Sequence, residues 1–160
     1  MTVSKYLSIY VNDHLAALTA LRDVARRSAR SNDGSELGAY LQRVASDLDG
    51  ARNEVREIAG GLGIRRDPFK AAAAWAAEKL GRLKLNGHLL TYSPLSRVLE
   101  LEGLEAGAAV ETATWRALGA ATGRDFSERI YACERRRSEL ARHHAAAIAR
   151  ALGEGTSQTR

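Results

Sequence analysis

LGAYLQRVASDLDGARNEVREIAGGL, residues 37–62, places apolar residues at Leu37, Leu41, Val44, Leu48, Ala51, Val55, Ile58 and Leu62. Steps of four and three alternate through the whole run. A helix turns once every 3.6 residues, so this spacing draws one continuous apolar seam along a long helix. Left-handed bundle packing requires such a seam. Ser35 stands before the run as a helix cap, and GGLG at 60–63 closes it with left-handed glycine geometry.

The same punctuation divides the rest of the chain. A first helix is expected from about Ser4 to Arg30, with a seam of Leu7, Val11, His14, Leu18, Leu21 and Ala25, ending at the turn SNDG, 31–34. Asp67–Pro68 starts a shorter helix, FKAAAAWAAEKLGRL, 69–83. Ser93–Pro94 repeats that start signal for a third long helix, which Gly123 closes. Two seams fit this helix: Leu101, Leu104, Ala108, Glu111, Trp115, Leu118, or Val98, Leu101, Glu105, Ala108, Thr112, Trp115. Asp125 and Glu128 read as a D-x-x-E capping box for a fourth helix, whose seam is Phe126, Ile130, Cys133, Arg137, Leu140, His144 and Ala147.

Four helices of roughly 26 to 28 residues, each about 40 Å long, imply a bundle. Short first–second and third–fourth connections make those pairs antiparallel. The second–third connection, about 30 residues, is long enough to travel back along the bundle. The expected fold is therefore all-α, a single domain over 1–152 with a disordered tail at 153–160.

The chain has 160 residues, 45% of them hydrophobic and 27% charged, which suits one globular domain with its own core. A single cysteine excludes an internal disulfide and fits a reducing compartment. No signal-peptide pattern and no run of about 20 apolar residues appears, so a cytoplasmic protein without a membrane span is expected. The net charge of +5 permits nucleic-acid binding, and the run ERRR, 134–137, with Arg129 and Arg142 supplies a basic stripe. Glu128 and Glu139 interleave with it, as in ordinary helix-surface pairing. On the short helix, Lys70, Lys79, Arg82 and Lys84 surround Phe69, Trp75 and Leu80, a pattern that fits either a membrane surface or a helix lying on the bundle.

Two helical hairpins joined by one long crossover resemble the ferritin-like superfamily, over residues 4–152. The stretches YVNDHLAAL (10–18), KLNGHLLTYSPLSRVLELEGL (84–104) and ACERRRSELARHH (132–144) are similar to a group of uncharacterised bacterial ferritin-like proteins. The resemblance implies the antiparallel four-helix bundle with a short helix in the crossover. It does not imply diiron chemistry here: diiron members carry E-x-x-H on two helices, and this sequence has no E-x-x-H. Its nearest approach is Glu139 with His143, at i and i+4.

Counting along helices of this topology gives a reduced polar set. His14, Glu54, Glu111 and Glu134 fall at about the same height, where one imidazole and three carboxylates could hold a divalent metal such as iron. Asp47, Glu102 or Glu105, and His144 form a second layer nearer the other end. Each also has a structural reading. His14 can donate to a carbonyl inside the core. His144 lies near a helix C-terminus, which favours a cation. His143 shares a face with Arg136 and Arg150, toward water. Glu54 and Glu134 can flank the core and reach water. Glu111, among Leu104, Ala108 and Trp115, needs a partner, and Arg137 is the expected one. Cys133 reads as a small core hydrophobe. Gly103 and Gly107, a G-x-x-x-G pair, mark either a close helix approach or chance. No P-loop, dinucleotide fingerprint or nucleophile–histidine pattern is present. The functional readings are thus a metal-binding bundle, a non-catalytic helical module acting as a homodimer, or a basic nucleic-acid-binding bundle.

Overall fold

A computed structural model describes residues 4–65 and 92–153. The short helix expected at 69–83 and residues 154–160 of the expected tail lie outside the described residues, while Gly153, expected to begin that tail, ends α4 by donating to Ala149 O. Four α-helices account for the rest: α1 (Lys5–Ser31), α2 (Glu36–Gly61), α3 (Pro94–Thr122) and α4 (Ser127–Leu152). No strand occurs among the described residues.

The helix ends follow local chemistry. Ser4 caps α1 by accepting from Tyr6 N, and Ser35 caps α2 by accepting from Gly38 N. Ser93 and Ser96 cap α3 reciprocally, with Pro94 in the first turn. Proline fits there because its missing N–H has no partner within the helix. Gly123 ends α3 in the left-handed region, at φ 70°. The D-x-x-E box expected at α4 does not form: α4 begins at Ser127, and Asp125 accepts from both Ser127 N and Ser127 Oγ. Asp125 therefore serves the first turn from two residues away, without Glu128.

Side-chain contacts give the helix directions. Arg27, late in α1, meets Glu100, early in α3, while Leu21 packs where Gly107 leaves room. Hence α1 and α3 run antiparallel. Tyr40 and Glu54 of α2 meet Arg136 and Arg129 of α4 respectively, so that pair is antiparallel too. Asn12, early in α1, donates to Arg65 O just past α2. Asn32, just past α1, donates to Tyr92 Oη just before α3. The chain thus leaves α2 at one end of α1 and enters α3 at the other.

The core is one apolar cluster in which Leu18, Leu41, Val55, Leu101, Trp115, Leu118 and Leu140 are essentially sealed from water. Burying each large side chain contributes about 1.5–3 kcal/mol. Trp115 packs on Phe126, ring centroids 5.3 Å apart, and so fastens the α3–α4 turn to the core. The two glycines of G-x-x-x-G differ. A Cβ on Gly107 would collide with the Leu21 side chain at Cδ2, so its bareness lets α1 approach α3. Gly103 is exposed, with nothing within 4 Å of a Cβ.

Candidate functional site

Two nearly parallel seams bury the polar interior of α3. Glu100, Leu104, Gly107, Glu111, Thr114 and Leu118 follow steps of four and three, and every one is buried. This seam carries two carboxylates inward: Glu100 is 4% exposed and Glu111 2% exposed. Each must find compensating charge or hydrogen bonds.

Glu111 finds it in α4. Arg136 Nη1 lies 2.6 Å from Glu111 Oε2, and Trp115 Nε1 donates to Oε1 at 3.4 Å. The expected partner, Arg137, is exposed instead. The apolar seam of α4 is offset by one residue from the expected one at this point, and that offset brings Arg136 inward. Burial by itself lowers the Arg136 pKa, but the charge of Glu111 and its hydrogen bond outweigh burial and hold the guanidinium above its ordinary value. Cys133 sits one turn away, 1% exposed. Burial, reinforced by the Glu111 charge, pushes its thiol up to about 12. It is a protonated core residue, not a nucleophile. Tyr40 of α2 donates its hydroxyl to Arg136 O, and burial pushes that phenol up to about 12.

Glu100 accepts from Arg27 Nε at 2.9 Å, while its other oxygen is buried without a hydrogen bond. The sequence reading missed Glu100. The step of four back from Leu104, on the seam through Gly107 and Glu111, was the signal that could have found it.

The four residues of the first expected metal layer do not converge. His14 is half-buried and turns back on its own helix: Nδ1–H donates to Tyr10 O at 2.8 Å, and the ring stacks on Tyr10. A carbonyl can only accept, which fixes the proton on Nδ1. Glu54 pairs with Arg129, whose Nη2 lies 2.6 Å from Oε2 but out of line for a hydrogen bond. Glu134 is exposed, 3.8 Å from Arg116. Glu111 belongs to Arg136. Of the second layer, Asp47 and Glu102 are exposed, whereas Glu105 and His144 do meet, with Nδ1 3.1 Å from Oε2. The other ring nitrogen of His144 is buried without a partner. His143 is half-buried and lies tilted against the Tyr40 ring, centroids 4.8 Å apart and planes 32° apart, so its ring contacts α2. Among the described residues, no three His, Cys, Asp or Glu side chains come together as a metal-ligand set.

The interior polar groups are thus divided among helix-to-helix pairs: α1–α3 through Arg27 and Glu100, α2–α4 through Glu54 and Arg129, and α3–α4 through Glu111–Arg136 and Glu105–His144. Chemically, such pairs fix which helix faces meet. On the outside, α3 differs from its neighbours. Between Glu102 and Arg116 its exposed positions are Gly103, Ala106 and Ala109, without a charge. No helix among the described residues is long and apolar enough to cross a membrane. Comparison with family models, curated proteins and solved structures gives no match to this chain.

Proposed function

We propose that this chain is a ferritin-like bundle, a relative of the bacterial diiron fold, that acts by association, first with a second copy of itself, and not by redox chemistry at a core metal pair. The observation that carries this reading is Glu111–Arg136. A guanidinium fixed to α4 supplies, at the most buried carboxylate among the described residues, the positive charge that a metal supplies in a diiron protein. The positions of Arg65 and Tyr92, at opposite ends of α1, support the ferritin-like return connection. The charge-free outer strip of α3 supports association, because interface centres are depleted of charged side chains. A lone, buried, protonated Cys133 fits the reducing cytoplasm.

The test is elemental analysis of the full chain purified without chelators, with light scattering over a range of concentrations. The expected result is substoichiometric metal and a dimer. One divalent metal per chain, lost in His144→Ala, would restore the metal reading. A monomer at every concentration would remove the association reading. If binding to a DNA duplex were measured and fell steeply with added salt, the basic-bundle reading would replace both.

A further inference from the structure

At the end of the bundle where α1 turns into α2, the first turns of α3 and the last turns of α4 leave a cleft of about 510 Å³. Asn32, Glu36, Leu37, Arg97, His143 and Arg150 line it. The basic groups come from two helices. His143 and Arg150 are seven residues apart, two turns along one face of α4. Arg97 faces them from α3.

Among the described residues, Arg22, Arg27, Arg129 and Arg136 each sit within 4 Å of an acid on another helix. The two arginines of the cleft are different. Neither Arg97 nor Arg150 has an ion pair or donates a hydrogen bond among the described residues, and the Arg97 Nε is buried without an acceptor. The Arg97 guanidinium carbon lies over the Tyr92 ring, 5.8 Å from its centroid. A buried N–H without an acceptor is costly to keep. Asp33 and Glu36 also line the cleft, but both are exposed on the α1–α2 turn, where water damps their field. Leu37, Ala146 and Ala147 give the cleft an apolar floor. The volume falls in the range of small-molecule sites and exceeds what a bare inorganic anion needs.

We propose that this cleft binds a small organic phosphate: the phosphate on Arg97 and Arg150, and a compact apolar body against Leu37, Ala146 and Ala147. Guanidinium is suited to this because its planar set of donors matches phosphate oxygens two at a time. His143, against the Tyr40 ring, adds a third donor. The site is independent of the association reading and uses none of its residues.

The experiment is calorimetric titration of the full chain with inorganic phosphate and with phenyl phosphate, at constant ionic strength. Arg97→Gln and Arg135→Gln are compared with it; Arg135 is exposed on α4 and does not line the cleft. Saturable binding is expected, tighter for phenyl phosphate. Losing one charged contact weakens binding about tenfold or more, so Arg97→Gln should show at least that loss and Arg135→Gln none. Amide chemical shifts recorded during the titration should move at residues 32–37 and 143–150. No saturable binding, equal loss in both variants, or shifts confined to other residues would overturn the proposal. If Arg97→Gln fails to fold, as seen by circular dichroism, Arg150→Gln carries the same test from the exposed end of the site.

Discussion

Replacing Arg136 with methionine tests the reading of the bundle interior most directly. Methionine keeps most of the side-chain stem and its packing but removes the charge. Glu111, 2% exposed, would then be a buried carboxylate left with the long Trp115 contact and the Cys133 thiol, and with no opposite charge. Removing one partner of a buried pair costs about 3–5 kcal/mol. A chain of this size loses roughly 2–4 °C of Tm per kcal/mol, so the midpoint should fall by about 6–20 °C. Adding Glu111→Gln to Arg136→Met should recover part of the loss. The charge is gone, and an amide oxygen can still accept from Trp115 Nε1. Urea unfolding followed by far-UV circular dichroism measures each variant, and the two single and one double variants close a cycle. If Arg136→Met cost less than about 1 kcal/mol, the range of an exposed ion pair, Glu111 could not be a buried charge dependent on α4. The account of the interior would then fail.

Three further outcomes follow from the same contacts. Gly107→Ala should destabilise by about 1–3 kcal/mol, because its Cβ must displace Leu21 between α1 and α3, whereas Gly103→Ala, with open space, should stabilise by about 0.5–1 kcal/mol; thermal melts of the pair check this. Tyr40 and Cys133 both keep their protons up to about pH 12 when folded but lose them near 10.0 and 9.0 when unfolded. The unfolded state then binds fewer protons between those values, so stability should fall as pH rises from about 9 toward 12; the double variant Tyr40→Phe/Cys133→Ala should show a shallower decline in urea titrations across that range. Cys133 should react with a thiol reagent only through opening of the bundle. The native rate should be about 10⁻³ or less of the rate in denaturant, and a comparable rate in both would contradict its burial.

The four long helices and most of their ends were legible because they depend on neighbours in the chain; the start of α4 was not, since Asp125 serves Ser127 and not a box with Glu128. Ser35, the Ser93–Pro94 pair and Gly123 act within one turn of themselves, so their residue types disclose their roles. The α2 seam was equally readable, since a period of 3.6 needs no knowledge of what it packs against. Rotation of a helix by one residue was harder. Arg136 and Arg137 differ by 100° around α4, and only the packing of α3 selects the first of them for the core. The same applies to Glu100, which a seam beginning at Leu101 passes over.

The polar interior was decided by tertiary structure alone. Counting residues placed His14, Glu54, Glu111 and Glu134 at one height, and height is a property of helix length. Whether they meet depends on azimuth, and on arginines from facing helices that no local pattern pairs with them. Arg129 takes Glu54, Arg136 takes Glu111, and His14 bends back to Tyr10. Sequence periodicity thus determined that four helices must bury their stripes together. Which charges those stripes would neutralise, and which cleft arginines would find no acid among the described residues, followed only from the angles at which the helices came to rest.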